Sequence, residues 1–466
     1  MKPRSARHVK GPVMSGAMTQ TTVNHDRDGF HDPDSVPVIR WVFPLPVPPP
    51  LWLDSPTITL GRDAAADVAL LDPRVSRRHA QIKRSGQLWL ISDLDSKNGI
   101  FIGGKRSKAA ALSVGDVIRI GDHVGVYLRA PRDADLSAGT LGPKLYGGFA
   151  HRLAVAQAKE LAGSTLPIVL DGATGTGKER FAEALHEWSG RSGRFLAINC
   201  AVYSKSVAPA ELFGYRKGAF TGAEQASSGH IRAAQGGTLL LDELIELPLD
   251  VQAMLLRVIE NREVLALGET RATPIDVRFV AASQSSLAEA VHQGRFREDL
   301  RARLEGAVIA LPKLEACKEI VPELFCALHE QHSGKRPHLT SAFAERLCLH
   351  DWPMNIRELD TLTRRLALSR QPTDKFEVSL LHALGESPRK ASPVATGPAA
   401  KAARTSIAAP GRASRAEAQD DREMSALAAA LEKCGGNITK AAALLGLSRP
   451  KAYRILKRSH SNVGPT

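Results

Sequence analysis

The sequence has 466 residues, a mass of 50.1 kDa, a formal charge of +13 at pH 7 and a pI near 9.6. One hydrophobic core rarely organises so long a chain, so two to four domains are expected. Prolines at 44, 46 and 48–50 interrupt the best apolar stretch, and the basic N-terminus lacks an apolar signal segment. We therefore expect a cytoplasmic protein without a membrane partner.

Cysteine content and charge narrow the class further. Five scattered cysteines without a C-x-x-C pair fit a reducing compartment and argue against a zinc or redox site. The positive charge favours polyanionic partners, although solvated Lys and Arg faces would also explain it.

Composition separates structured regions from segments that cannot build a core. Short β-rich runs predict a sandwich, apolar strands alternating with amphipathic helices predict a parallel sheet, and an Ala-, Pro- and Ser-rich stretch predicts a tether. The predicted fold is multidomain, with an N-terminal β-sandwich, a central α/β module with a helical lid and a C-terminal all-α domain. The predicted boundaries are a disordered N-terminus at 1–48, the sandwich at 50–130, a linker at 131–145, the central module at 146–384 (core 146–312, lid 316–384), a flexible tether at 386–420 and the all-α domain at 421–460.

A glycine-rich loop follows the apolar strand 166–170 and precedes a helical stretch, which is the context of a phosphate-binding loop. Inward N–H groups and the helix N-terminus suit an anion, and Lys178 supplies a point charge for the β and γ phosphates of ATP. A plain glycine-rich turn is the alternative. The predicted ATP-binding residues of this loop are Gly172, Ala173, Thr174, Gly175, Thr176, Gly177, Lys178 and Glu179.

A second buried strand ends in two carboxylates, Asp242 and Glu243. Glu179 occupies the position where Ser or Thr usually holds magnesium, so Asp242 is the candidate to hold Mg²⁺ through water. Glu243 is placed to polarise the attacking water. Both motifs stand at strand ends, and together they predict ATP hydrolysis with Mg²⁺ as cofactor.

Between these motifs lie Glu211-Leu212-Phe213-Gly214 and then the hexapeptide Gly218, Ala219, Phe220, Thr221, Gly222 and Ala223. The stretch from about 146 to 372 resembles the AAA+ module of sigma-54-dependent activators, or bacterial enhancer-binding proteins, to which this hexapeptide is largely confined. The resemblance implies a P-loop ATPase that forms a hexamer-like homo-oligomeric ring and contacts sigma-54 RNA polymerase through the hexapeptide. The alternative is a turn with one anchoring aromatic.

The resemblance extends to further residues. It implies that the amide of Asn199 holds Glu243 as a switch. It also implies that Arg297 and Arg303 reach the neighbouring subunit as arginine fingers, and that Arg357 senses nucleotide from the lid. Surface arginines are usually only solvated, so these roles depend on motif register.

Two departures from the family pattern bear on hydrolysis. Gln284 stands where the family usually has Asn, and its extra methylene alters the positioning of water. Residues 314–317 lack the two positive charges that are usual near the lid hinge. These changes leave a slower or differently regulated ATPase possible as an alternative.

The predicted sandwich resembles a forkhead-associated (FHA) domain through Gly61-Arg62, Ser76-Arg77-Arg78-His79 and the run from Asp93 to Gly99. The resemblance implies recognition of a phosphothreonine-containing protein, whose threonine is phosphorylated by a Ser/Thr kinase. His79 is expected to be a core histidine. An ordinary sandwich with common turn residues is the alternative. The predicted phosphopeptide-binding residues are Arg62, Ser76, Arg77, Lys97 and Asn98.

The C-terminal stretch from about 423 to 458 reads as three helices and resembles a Fis-type helix-turn-helix. Upstream, enhancer-like DNA sites are the implied partner, and a three-helix cap with a basic face is the alternative. The predicted DNA-binding residues are Ser448, Arg449, Lys451, Arg454 and Lys457.

Together these regions predict an activator that senses phosphothreonine, remodels sigma-54 RNA polymerase with ATP and is anchored on DNA. The rival hypothesis is an FHA-containing DNA-binding scaffold or repressor with weak ATPase activity. A general AAA+ helicase loader would leave the hexapeptide unexplained.

Overall fold

The computed structural model describes residues 35–142, 144–368 and 375–376. The predicted N-terminal segment before residue 35, the tether at 386–420 and the helix-turn-helix at 421–460 lie outside the described residues.

Residues 36–130 form a sandwich of two β-sheets. Its strands are β1 (Val36–Phe43), β2 (Leu51–Trp52), β3 (Thr57–Gly61), β4 (Val68–Ala69), β5 (Ala80–Ser85), β6 (Leu88–Asp93), β7 (Ile100–Ile102), β8 (Lys105–Ser107), β9 (Ala109–Leu112), β10 (Val117–Ile120) and β11 (His123–Ala130). One sheet has the order β2-β1-β11-β10-β7-β8 and the other β4-β3-β5-β6-β9. Their apolar inner faces meet in one core, as the predicted sandwich requires.

Strand β1 is buried on both faces. Ile39 and Trp41 pack in the sandwich core, whereas Val38 and Val42 belong to separate apolar clusters outside it. A strand covered on both sides is a continuous apolar run instead of an alternating one. The predicted boundary at residue 50 is therefore too late, because the prolines from Pro44 onward end a buried strand and do not mark a disordered segment.

The central module begins inside the predicted linker, with two short strands that pair antiparallel. The elements from there to residue 310 are β12 (Gly139–Gly142), β13 (Leu145–Gly147), α1 (Phe149–Ala162), β14 (Ile168–Asp171), α2 (Lys178–Trp188), β15 (Phe195–Asn199), α3 (Ala208–Phe213), α4 (Gly229–Ala233), β16 (Thr238–Asp242), α5 (Leu249–Asn261), β17 (Glu263–Val264), β18 (Thr273–Pro274), β19 (Arg278–Ser283), α6 (Leu287–His292), α7 (Glu298–Leu304) and β20 (Ala307–Ala310).

A five-stranded parallel sheet of order β15-β16-β19-β14-β20 organises this module. Its strands are apolar on both faces because helices cover each side. All carboxyl ends of parallel strands lie at one edge, so the segments after β14, β16 and β19 meet there. The predicted α/β core is confirmed, and its edge gathers the glycine-rich loop, Glu243 and Gln284.

The lid is helical. It comprises α8 (Val321–Ser333), β21 (His338–Leu339), α9 (Ser341–Leu349), α10 (Asn355–Ala367) and β22 (Lys375–Phe376). Thr340 caps α9 by accepting a hydrogen bond from Phe343 N at 3.2 Å. The rings of Phe325, Phe343 and Phe376 pack edge to face with centroids 5.3 to 5.7 Å apart.

The sandwich packs directly on the lid. Val42 and Val124 of the sandwich form one apolar cluster with Cys348 of α9. Beside it, Arg119 Nε donates to Glu345 Oε2 at 2.8 Å, and both side chains are largely buried. The two domains therefore share a mixed apolar and ionic interface.

The described residues bear on two expectations from the sequence, namely that no segment spans a membrane and that the cysteines are not paired. Within the described ranges, every helix is either too short or too polar to cross a bilayer. The four cysteines there are buried free thiols, and burial raises the pKa of Cys200 to about 12, which leaves it unreactive. These cysteines are Cys200, Cys317, Cys326 and Cys348.

Glu319 makes the stability of the interface between the sandwich and the lid depend on pH. It is buried in the turn beside β1, its Oε2 has no hydrogen-bond partner, and burial raises its pKa to about 7 even though Arg40 opposes the shift. The folded state therefore binds more protons than the unfolded chain between about pH 4.5 and 7, and stability falls as pH rises through that window. Glu319→Gln should raise the free energy of unfolding by about 3 kcal/mol at pH 8 and by less than about 1 kcal/mol at pH 5.

Urea unfolding of the full chain at both pH values measures this difference. Glu315→Gln, at an exposed glutamate of the same connection, is the matched control and should show no such dependence. A gain for Glu319→Gln that is equal at both pH values would contradict the assignment.

Candidate functional site

The glycine-rich loop wraps around the amine of Lys178. Gly177, in the left-handed region with φ of 95°, precedes α2, and Lys178 is its first residue. Lys178 Nζ donates to Gly172 O at 2.7 Å and to Ala173 O at 3.4 Å. Burial lowers the pKa of Lys178, while the carboxylates of Asp242 and Glu243 oppose the shift. The loop thus encloses one buried amine at the strand edge.

The lid backbone lies directly on this loop. Ile356 N donates to Gly175 O at 3.0 Å, and Asn355 Nδ2 donates to Thr174 O at 2.8 Å. A Cβ on Gly175 would stand 2.1 Å from Met354 O and 3.0 Å from Arg357 Cβ. Only glycine fits here, and Arg357 lies beside the loop.

The two carboxylates lie at the end of β16, with Asp242 as its last residue and Glu243 directly after it. Asp242 Oδ1 accepts a hydrogen bond from Glu243 N at 3.0 Å, and Glu243 has a left-handed φ of 52°. This turn directs the chain away from the sheet immediately after the carboxylates. Carboxylate oxygen is a ligand type that Mg²⁺ prefers, so Asp242 fits a magnesium site beside the loop.

Gln284 connects the loop to the second carboxylate motif. Thr174 Oγ1 donates to Gln284 Oε1 at 2.5 Å, and Gln284 Nε2 donates to Glu243 Oε1. Asn199 is engaged elsewhere, because its Oδ1 accepts from Ala201 N at 2.9 Å and caps a short turn. In this structure Gln284, not Asn199, provides the amide that holds Glu243.

The hexapeptide is an exposed, self-closed loop. Gly218 N donates to Ala223 O at 2.9 Å, and Gly218 and Gly222 have φ values of 80° and 97° that favour glycine. Phe220 is 47% exposed, although its ring lies 4.9 Å from the ring of Tyr215. Thr221 is exposed beside it, so the loop presents one aromatic and one hydroxyl to solvent.

The two predicted arginine fingers lie on the module surface around α7. Arg297 pairs with Asp299, with Nη2 to Oδ2 at 2.6 Å, and this pair raises the pKa of Arg297. Arg303 pairs with Glu260, with Nε to Oε1 at 2.7 Å, and is exposed. Both guanidinium groups are therefore at least partly exposed, and both pair with carboxylates of the same subunit.

The sandwich carries a basic groove at its loop end. The groove, of about 790 Å³, is lined by all five predicted residues and also by Arg74. Ser76 Oγ accepts from Lys97 N at 3.1 Å, and Asn98 Nδ2 donates to Arg74 O at 2.6 Å. The groove therefore gathers cations and hydroxyl or amide donors from separate loops, as phosphate recognition requires.

Two residues behind the groove fix its loops. His79 is fully buried, with Nδ1 accepting from Ser76 N at 3.0 Å and Nε2 3.1 Å from Gly99 O. Gly61 leaves no room for a side chain, because a Cβ there would stand 2.0 Å from Arg77 O. His79 is thus the predicted core histidine.

Sequence reasoning missed Asn355 and Arg74. The resemblance singles out Arg357 in the lid, although the Asn355 amide, two residues earlier, makes the contact to the loop. Arg74 stands two residues before the phosphate-binding motif, where its charge was the only available signal. The predicted DNA-binding residues Ser448 to Lys457 lie outside the described residues.

Three family models match the chain in the predicted order. Residues 58–121 match the FHA domain, residues 149–310 match the Sigma-54 interaction domain, and residues 418–458 match the Bacterial regulatory protein, Fis family. The predicted multidomain fold class is confirmed, including its C-terminal helix-turn-helix.

Two known relatives and one solved structure are similar to part of this chain. The probable regulatory protein WtsA of Pantoea stewartii subsp. stewartii is 43% identical over 211 residues, which are 44% of this chain and 65% of WtsA. HrpS of Pseudomonas savastanoi pv. phaseolicola is 42% identical over 207 residues, which are 44% of this chain and 68% of HrpS. A crystal structure of NtrX from Brucella abortus in complex with ADP has a TM-score of 0.48 at 27% identity and covers 66% of this chain and 68% of NtrX.

The chain belongs to the family of sigma-54-dependent transcriptional regulators, with an FHA domain before the AAA+ module and a Fis-type helix-turn-helix after it. It spans about two thirds of the length of WtsA and HrpS.

Gly61→Ala tests the construction of the groove. The new Cβ must displace the backbone of Arg77, so we expect a loss of about 1–3 kcal/mol in the free energy of unfolding, measured by urea titration of the full chain. Gly139→Ala is the control, because a Cβ there meets nothing within 4 Å. Equal stability of the two variants would show that the loop yields freely.

Proposed function

We propose that the protein is a cytoplasmic transcription activator that uses ATP hydrolysis to remodel sigma-54 RNA polymerase and open promoter DNA. The observation that carries this proposal is one α/β module that sets the amine of Lys178 near the carboxylates of Asp242 and Glu243 and also presents the exposed hexapeptide loop. One hydrogen-bonded chain links the glycine-rich loop to the carboxylate that would polarise water.

ATP is the substrate that this site fits. The amine of Lys178 would donate to oxygens of the β and γ phosphates instead of the carbonyls of Gly172 and Ala173. The loop N–H groups would bind the same phosphate oxygens. Asp242 would hold Mg²⁺ through water, which neutralises phosphate charge when bound. Glu243 would orient the attacking water once Gln284 releases its carboxylate.

Hydrolysis would be completed by a neighbouring copy of the chain in a hexamer-like ring. Arg297 and Arg303 are surface cations whose acidic partners are on the same subunit, so each is available to exchange partner at a subunit interface. The exposed hexapeptide would contact sigma-54 through Phe220 and Thr221 and move with nucleotide state.

The flanking domains would recognise a phosphorylated protein and bind DNA, respectively. Arg62, Ser76, Arg77, Lys97 and Asn98 line a basic groove that suits a phosphothreonine peptide made by a Ser/Thr kinase. The Fis-type helix-turn-helix would bind upstream DNA through residues 448–457.

A second candidate is a DNA-bound scaffold or repressor with weak ATPase activity. It is favoured by the hydrogen bond from Gln284 to Glu243, which withholds the carboxylate from water. Turnover separates the two proposals, because a scaffold retains DNA binding while it hydrolyses ATP very slowly.

Open-complex formation by purified sigma-54 RNA polymerase tests the activator function. Wild type should open the promoter in the presence of ATP. Lys178→Ala should reduce hydrolysis roughly a hundredfold or more and abolish opening, because it removes the charge that binds the phosphates. Thr221→Ala should retain hydrolysis but lose opening, because it changes only the exposed loop.

Lys205→Ala and Thr165→Ala, at exposed positions elsewhere on the module, are the matched controls and should behave as wild type. Hydrolysis by wild type without promoter opening would refute the sigma-54 role, and absence of hydrolysis would favour the scaffold.

Phosphopeptide binding tests the input domain separately. Arg62→Ala should weaken the affinity for a phosphothreonine peptide at least about tenfold, because it removes a charge-assisted hydrogen bond from the groove. Arg84→Ala, at an exposed arginine outside the groove lining, should leave affinity unchanged in the same calorimetric titration. Equal losses in both variants would indicate nonspecific charge attraction.

A further inference from the structure

Arg74 lies between the phosphopeptide groove and the lid. It lines the groove, and its carbonyl oxygen accepts a hydrogen bond from Asn98 Nδ2 at 2.6 Å. Its guanidinium binds Asp122, with Nη1 2.6 Å from Asp122 Oδ1. Through its carbonyl and its side chain, this residue therefore connects the groove wall to the turn between β10 and β11.

Asp122 carries this connection into the lid. The same Oδ1 atom accepts a hydrogen bond from Ser341 Oγ at 2.6 Å. Ser341 is the first residue of α9, the lid helix that packs on the sandwich. A groove cation and a lid hydroxyl thus share one carboxylate oxygen across the domain interface.

The lid helix leads on to the nucleotide loop. After α9 ends at Leu349, six residues separate it from Ile356, whose N–H donates to Gly175 O. Asn355 in this segment donates to Thr174 O. A displacement of the start of α9 therefore acts on the segment that contacts the loop.

A second carboxylate makes Asp122 depend on Arg74. Asp72 is 6% exposed; its Oδ2 accepts from Asp122 N at 2.5 Å and its Oδ1 accepts from Arg74 N at 2.8 Å. The two carboxylates are held close by these backbone contacts, and like charges at short range repel. Loss of the Arg74 guanidinium would favour rotation of the Asp122 side chain toward solvent and away from Ser341.

We propose that Arg74 is an additional phosphate-binding residue, and that its transfer from Asp122 to a phosphothreonine side chain releases the Ser341 contact of the lid. The proposal rests on the phosphopeptide function proposed for the groove. A phosphate monoester carries more charge than one carboxylate and has three acceptor oxygens, so it competes well for the guanidinium. Groove occupancy is thereby read at the lid.

The size of the effect follows from exposure. The side chains of Arg74 and Asp122 are 64% and 36% exposed, and exposed ion pairs change equilibria about two- to fivefold. Because linkage is reciprocal, a lid without this contact should bind the phosphopeptide more tightly by the same factor.

The test uses the full chain and a phosphothreonine peptide mixture with degenerate flanks, with the unphosphorylated mixture as reference. Binding is titrated first, and hydrogen exchange of residues 340–349 is then measured with and without peptide. Phosphopeptide should accelerate exchange in the first turn of α9 about two- to fivefold in wild type. Arg74→Gln should weaken binding and abolish the acceleration.

Asp122→Asn gives the result that a purely structural role would not produce. It should tighten phosphopeptide binding about two- to fivefold, because Arg74 no longer has an ion-pair partner to leave. Hydrogen exchange in α9 should also be fast before peptide is added. The pair Arg132 and Asp54 is the matched control, since it is equally close at 2.6 Å and similarly exposed but is not part of the groove lining. Arg132→Gln and Asp54→Asn should therefore bind and exchange as wild type does.

Two results would overturn the proposal. One is wild-type binding of phosphopeptide with unchanged exchange in α9, and the other is equal affinity of Asp122→Asn and wild type. If the phosphopeptide does not bind at all, the titration shows that the groove function itself has failed, and the coupling proposal falls with it. Absence of ATP hydrolysis would affect neither readout.

Discussion

The contact between the lid backbone and the glycine-rich loop constrains the rest of this structure. At Gly175 there is no space for even one carbon, and two hydrogen bonds join the loop carbonyls to Asn355 and Ile356. Because these are direct contacts with the loop backbone, the position of the lid cannot change without a change in the conformation of the phosphate-binding loop. Any domain that is fixed to the lid is consequently fixed to the nucleotide site.

The sandwich is fixed to the lid in this way. Its strand β1 buries one face in its own core and the other outside it, and Arg119 adds a largely buried ion pair with Glu345. Removing one member of such a pair is costly because the other stays buried without compensation. The sandwich is therefore joined to the lid, whereas the hydrogen-bonded chain of Thr174, Gln284 and Glu243 lies at the edge of the parallel sheet.

Sequence predicted the local chemistry and missed what depends on distance between elements. The glycine-rich loop follows a strand, Asp242 ends a strand and the hexapeptide lies on an exposed loop, as predicted, because neighbouring residues determine the chemistry of a turn. The sequence does not show that Gln284 binds Glu243 in place of Asn199, since this depends on the spacing of β15, β16 and β19. An asparagine at 284 would withdraw the amide by about 1.5 Å from Glu243.

The sandwich boundary and its packing were missed for a related reason. An apolar strand such as β1 shows that both faces are covered, but it carries no information about which element covers the second face. Asn355 likewise has a role only because the lid folds back on the loop. Such residues are recognised from contacts, and their sequence neighbours give little signal.

The division of energies across the sandwich–lid interface has a functional consequence. The apolar cluster around Val42 and Cys348 and the buried pair of Arg119 contribute the larger, permanent part. Contacts near the groove, such as that of Asp122, are more exposed and weaker. A ligand can shift an equilibrium only by its differential affinity for the two states, so a switchable contact must be weak beside the ligand's own binding energy. The strong contacts hold the sandwich on the lid, and only the weak contacts at its edge are within the range that a ligand can break.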